Sequence, residues 1–232
     1  MKTMLVSFAW AVLALLPVRA GTIVGTVRAE GKTEVQGNDA GGAYASRKFK
    51  FAEKVDYEAM RDFVVYLKGP VGTNSQAIPA SHIVVNTTRI SQQGAVFDPH
   101  VLPVVAGTTV EWPNNDQIFH NVFSISDAKE FDLGLYKGNP EEKEVTFDKA
   151  GRVDVFCSIH ANMHCIVLVL DNPYFCKTDE KNHYCISNVP PGTYHLTAWQ
   201  ERMPSQTKEI TVPASGEVKA DFVLGITGLP KY

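Results

Sequence analysis

Helical periodicity is nearly absent from this 232-residue chain, and so are the motifs on which most enzyme chemistry rests. There is no Gly-x-Ser-x-Gly elbow, no phosphate-cradling loop and no His-x-His pair, which disfavours the common hydrolases, nucleotide-dependent enzymes and multinuclear metal oxidases. Basic residues are outnumbered: 22 Lys and Arg stand against 25 Asp and Glu, for a formal charge of −3, and no basic patch with interleaved aromatics occurs. Nucleic acid and anionic lipid are therefore poor partners. Methionine is scarce, five in all, and Met1 and Met4 fall in the first 20 residues, so an open methionine-rich metal-delivery site is disfavoured. Long apolar runs are missing except at the start. There "MKTMLVSFAWAVLALLPVRA" has an early Lys2, an apolar stretch, and Val18 and Ala20 where a signal peptidase reads. Pro17 and Arg19 cut the run short of the roughly 20 residues that a membrane span needs. Residues 1–20 are read as a secretory signal, whose removal takes Lys2 and Arg19 and leaves a charge of −5. The expected location is periplasmic or secreted, with no membrane span after cleavage.

What the chain does contain is a succession of short β-branched and aromatic runs separated by turn residues. They are "GTIVGTVR" (21–28), "DFVVYLK" (62–68), "HIVVNTTRI" (82–90), "TTVEW" (108–112), "HNVFSIS" (120–126), "KEVTFD" (143–148), "RVDVFC" (152–157), "CIVLVLD" (165–171), "HYCISNV" (183–189), "YHLTAW" (194–199), "TKEITV" (207–212) and "VKADFVL" (218–224). The fold class is all-β, as sandwich or barrel, in one large domain or two small ones. Residues 31–60 break the rhythm; small and polar residues there suggest a flexible insertion with a helical turn near "YEAM".

One loop carries the chemistry. "FCSIHANMHC" (156–165) offers a thiolate, an imidazole and a thioether at intervals of three, from Cys157, His160 and Met163. Soft sulfur selects copper, imidazole suits it in both oxidation states, and a trigonal His₂Cys set with a weak axial Met is the ligand pattern of blue-copper electron-transfer sites. A second histidine is required, and His120 in "NNDQIFHNVFS" supplies it at the head of a strand-like run.

The stretches "VLPVVAGTTVEWPNNDQIFHNVFS" and "FDKAGRVDVFCSIHANMHCIVLV" resemble the cupredoxin family of the plastocyanin and amicyanin type, over about 82–170. The resemblance implies a Greek-key β-sandwich holding one type 1 copper on His120, Cys157, His160 and Met163. It also implies a role for Asn121 in tying the ligand-bearing loops together near the thiolate.

The C-terminal stretch "TDEKNHYCISNVPPGTYHLTAWQE" with "QTKEITVPASGEVKADFVL" resembles the carboxypeptidase regulatory-like, transthyretin-like β-sandwich, with Asn182 where a turn glycine is usual. That family begins with strands like "GTIVGTV" and "VVYLKG", which here precede the cupredoxin segment. The implied organisation is a discontinuous sandwich, 21–75 plus 171–225, around a copper domain, as in methylamine-utilization-type cupredoxin proteins. Among the remaining groups, Cys165 is expected as a buried free thiol near the site. Cys176 and Cys185, flanking "KTDEKNHY", are the candidate disulfide closing a hairpin in an oxidising compartment. His100 and His164 are read as structural or surface histidines, and His183 lacks enough companions for a second metal site.

The expected function is a non-enzymatic carrier of single electrons between redox protein partners, with His160 at the exposed edge of the site. The alternatives are a copper chaperone or store, and a non-redox scaffolding or adhesion module.

Overall fold

The structure is a computed structural model that describes residues 20–31, 56–71, 88–138 and 143–225. Nearly all of the expected secretory signal, most of the expected insertion at 31–60 and most of the run at 82–90 lie outside the described residues. In chain order the strands are β1 (Gly21–Glu30), β2 (Val64–Leu67), β3 (Ser91–Gln93), β4 (Val96–Asp98), β5 (Val101–Val105) and β6 (Thr108–Glu111). There follow β7 (His120–Ser126), β8 (Lys129–Tyr136), β9 (Glu144–Phe147), β10 (Gly151–Phe156), β11 (His164–Leu170) and β12 (Phe175–Lys177). The last are β13 (His183–Val189), β14 (Gly192–Gln200), β15 (Met203–Val212), β16 (Glu217–Lys219) and β17 (Phe222–Gly225). The molecule is all-β, with no helix among the described residues. The helical turn expected near Tyr57 is instead a bend, in which the Asp56 carboxylate accepts from the amides of Glu58 and Ala59.

Two groups of strands enclose separate cores. In the first, a five-stranded sheet runs β5-β11-β10-β7-β8, with β5 parallel to β11 and the other neighbours antiparallel. It shares its apolar interior with the β6/β9 pair and the β3/β4 hairpin: Val122, Val153, Val155 and Val167 pack with Phe97, Val110, Trp112 and Phe147. The second group takes strands from both ends of the chain. β1 pairs antiparallel with β13 and parallel with β16 and β17, while β12-β2-β14-β15 form a second sheet. Ile23, Val27, Phe63, Val65, Ile186, Leu196 and Phe222 fill the space between them.

Local chemistry explains several of these elements. Asn182 takes φ 61°, the left-handed conformation that Asn tolerates better than most residues, in a turn stapled by the Asp179 carboxylate accepting from the amides of Lys181 and His183. In "PPGTY" the Tyr194 hydroxyl donates to the Pro190 carbonyl at 2.8 Å. The run "VKADFVL" divides into β16 and β17 because β1 shifts partners there: Val24 is opposite Lys219 and Val27 opposite Phe222, with the Ala220 amide donating to Val24 between them.

All four cysteines are free thiols, so the expected Cys176–Cys185 disulfide is not formed. The two side chains point to opposite sides, although the Cys176 thiol lies against the Cys185 backbone. β12 and β13 are not a hairpin but belong to different sheets, Cys176 packing against the core and Cys185 facing solvent on the outer side of β13. Burial pushes the Cys176 thiol above its ordinary pKa.

β11 joins the two groups. Cys165, Val167 and Val169 point into the first core, while Ile166, Leu168 and Leu170 point the other way, onto Val64 of β2 and Phe175 of β12, with Trp199 alongside. At the rim, Lys177 pairs with Asp62 and donates to the Val101 carbonyl. Backbone packing is tightest at Gly25, where an added Cβ would lie 2.1 Å from the Ala220 carbonyl oxygen. Gly25→Val is therefore expected to destabilise the protein by about 1–3 kcal/mol, read as a lowered urea midpoint in equilibrium unfolding.

Candidate metal centre

The loop between β10 and β11 is short and pinched. The Cys157 amide donates to the Met163 carbonyl at 3.1 Å and the Met163 amide to the His160 carbonyl at 3.0 Å. Because Phe156 stands opposite His164 in the β10/β11 ladder, Cys157 leaves one strand just where Met163 enters the other. Both are almost fully buried, at 6% and 1% exposure, in the first core. The turn within that span carries His160 back over Cys157, its Nδ1 3.5 Å from Sγ.

His120 comes from the neighbouring strand. It opens β7, is wholly buried, and its Nδ1 lies 3.1 Å from Nδ1 of His160. The tautomer is fixed from behind: the Asp116 carboxylate is 2.8 Å from His120 Nε2 and can only accept, so the proton resides on Nε2 and the Nδ1 lone pair faces the cluster. Asp116 is itself held by the turn of the β3/β4 hairpin. Gly94 and Ala95 both have positive φ, 64° and 56°, as a tight hairpin turn requires, and their successive amides donate to the carboxylate at 2.7 and 2.9 Å. These amides, the Ala95 one foremost, and the His120 ring draw the Asp116 carboxyl down to about 2. Asp116 was not among the expected site residues. Its signal in the sequence is the four-residue spacing to His120.

The structure thus brings His120, Cys157 and His160 together, one ligand atom of each within 4.8 Å of the others, and places Met163 at the foot of the same loop. Two imidazole nitrogens 3.1 Å apart sit where two bonds of about 2.0 Å from one transition-metal ion, diverging by about 100°, would put them. Two imidazoles, a thiol and a nearby thioether suit copper better than a hard cation. Asn121 meets the Cys157 side of the cluster through its main chain. Its backbone amide, not its side chain, points to the Cys157 sulfur, at 3.5 Å. Its side-chain amide donates instead to Asp132 on β8 at 2.6 Å, where the Gly134 amide also binds. Cys165 is a buried free thiol whose pKa is raised well above the ordinary value by that burial. The buried Tyr136 hydroxyl, pushed up to about 12 by burial, accepts from Gln92 and donates to the Trp112 carbonyl beneath the site.

Residues 84–170 match the family model described as copper binding proteins, plastocyanin/azurin family. That stretch is similar to copper-binding proteins of the plastocyanin/azurin family. Residues 169–220 match a model described as polysaccharide lyase family 4, domain II, a different description from the carboxypeptidase regulatory-like one that the "VPPGTY" motif implied. No curated protein matches the chain. Among solved structures, the chain is 29% identical to a Cu-containing nitrite reductase (NirK) from Thermus scotoductus SA-01, over 37% of this chain and 23% of that one, with a TM-score of 0.34. A purple cupredoxin from Nitrosopumilus maritimus is 28% identical over 35% of this chain and 97% of its own, with a TM-score of 0.31. An oxidized mutant form of amicyanin is 24% identical over 39% of this chain and 88% of its own, with a TM-score of 0.31.

The Asn121 to Asp132 bond couples β7 to β8 beside the cluster, and Asn121 is 4% exposed. Asn121→Ala is expected to cost about 0.5–1.5 kcal/mol, the net range for a hydrogen bond whose acceptor, here Asp132, is exposed to water, measured by guanidinium denaturation of the metal-free protein.

Proposed function

We propose that this protein is a periplasmic or secreted carrier of single electrons, with one copper ion held by His120, Cys157, His160 and Met163, and that it is not itself an enzyme. The observation that carries this proposal is the convergence of two imidazole Nδ1 atoms and one thiol from two strands and one pinched loop. The match of residues 84–170 to a copper-binding family supports it. When bound, the copper supplies a one-electron cupric/cuprous couple.

The chain's own residues hold that site ready. Asp116 fixes the His120 tautomer, so the donor nitrogen need not be freed from a proton or turned into place. The Asn121 amide directs a hydrogen bond at the Cys157 sulfur, an outer contact of the kind that tunes ligand orientation and reduction potential. Buried side chains around Cys157 and Met163 keep water from the sulfur donors. His160 is only partly buried, and Ile118, Phe119 and Ile159 beside the ligands are about half exposed, at 48%, 55% and 51%. An apolar rim around a partly exposed ligand suits brief docking of a redox protein.

The domain organisation belongs to the same proposal: a copper domain at about 82–170 inserted between the pieces 21–75 and 171–225 of a second sandwich. The pairing of β1 and β2 with strands beyond residue 171 supports it.

One equivalent of Cu(II) added to the mature chain is expected to produce an intense blue band and a narrow copper hyperfine splitting in electron paramagnetic resonance. Both are expected to vanish in Cys157→Ser, while Met163→Leu keeps the colour and shifts the potential. A pale spectrum unchanged by Cys157→Ser would overturn the assignment.

A further inference from the structure

A second cluster of metal-ligating side chains lies at the seam between the two strand groups, and electron transfer makes no use of it. His100 precedes β5, His164 opens β11, and Glu201 sits in the turn between β14 and β15, so two ligands come from the first group and one from the second. One ligand atom of each lies within 4.8 Å of the others.

The hydrogen bonds around the cluster decide which nitrogens are free. His100 Nδ1 is 3.2 Å from the His164 carbonyl oxygen, which can only accept, so Nδ1 carries the proton. The other nitrogen, Nε2, faces Glu201 Oε1 at 3.0 Å, a carboxylate oxygen that likewise only accepts, so this position is held by a proton or by a cation in the proton's place. Two acceptors at that distance repel unless positive charge lies between them. His164 is anchored likewise: its Nε2 donates to Asp154 Oδ1 at 3.0 Å, which leaves its remaining nitrogen unprotonated. Asp154 is gripped by the Arg152 guanidinium through two bonds of 2.9 and 2.7 Å, and Arg152 also reaches the Glu201 carbonyl at 3.4 Å. A carboxylate behind a histidine whose other nitrogen is free is the usual outer arrangement of a metal-ligating imidazole. Phe156 stacks on the His164 ring at 4.8 Å and holds its plane.

We propose that His100, His164 and Glu201 bind a divalent first-row cation, with Zn²⁺ as its representative, and that the ion clamps the two strand groups together. Two imidazoles and one carboxylate form a zinc donor set that leaves a position for water, and the absence of sulfur sets the cluster apart from the copper ligands. The side chains of His100, His164 and Glu201 are 37%, 24% and 19% exposed, so an ion reaches them from solvent. Bonds of about 2.0–2.2 Å require a gap as wide as 4.8 Å to close by roughly an ångström.

The test is bound zinc per chain, counted by mass spectrometry after dialysis of the untagged mature protein against Zn²⁺. His100→Ala and Glu201→Gln are expected to hold one equivalent less than wild type. Asp154→Asn, which removes the carboxylate behind His164, is expected to bind that equivalent about 10–100-fold more weakly. Because the readout is a difference between wild type and variant, it does not depend on what the cysteine-containing cluster holds, and failure of the copper proposal leaves it intact. Glu201→Gln conserves volume, and circular dichroism checks its fold. Equal zinc in wild type and folded Glu201→Gln would overturn the proposal and leave His100 and Glu201 as an ion pair sharing a proton.

Discussion

β11 has no solvent face, and most of the molecule is arranged around that constraint. One set of its side chains fills the first core, the other set forms the seam with β2 and β12, and its backbone is paired on both edges by β5 and β10. A strand fixed on four sides makes a stiff root for the loop that precedes it. Cys157 and Met163 therefore inherit their positions from a ladder whose register cannot slip without turning apolar side chains out of both cores at once.

The second ligand-bearing element is positioned by polar contacts rather than apolar ones. A two-residue hairpin turn offers two amides to Asp116, and Asp116 offers a carboxylate to His120. Each step satisfies a group that burial would otherwise leave at a high free-energy cost: the carboxylate has donors and the imidazole has an acceptor. The wholly buried His120 is held in one tautomer at the end of this relay. Ala95, a residue with no intrinsic liking for positive φ, is stabilised there by the bond its amide makes.

Much of this was legible in the sequence. The runs at 21–28, 120–126 and 183–189 became β1, β7 and β13, because alternating apolar residues suit a half-buried sheet. The unbroken "CIVLVL" became β11, its lack of alternation reflecting burial on both faces. The convergence of His120, Cys157 and His160 followed from residue types and spacing. What escaped was what depends on neighbours distant in sequence. β5 contains Pro103, which reads as a strand breaker but is tolerated at a sheet edge. β8 carries Asp132 and Gly134, both poor strand formers, so its role as the opposite edge left little signal. Asp116, the Asn121 to Asp132 bond and the placing of Cys176 and Cys185 in different sheets each required knowing which strands share a sheet.

The placement of β1 bears on the order in which the protein is assembled. Its Thr26 amide is bonded to Asp221, 195 residues further along the chain, and both its edges are occupied by strands beyond residue 180. The segment from β3 to β11 can close its own ladders early, since its partners lie within it. β1 cannot, and non-local pairing of this kind is slow because loop closure must precede any contact gain. Until β16 and β17 have docked, β1 remains an open apolar edge, and among the described strands it is one in need of protection from other chains while the protein folds.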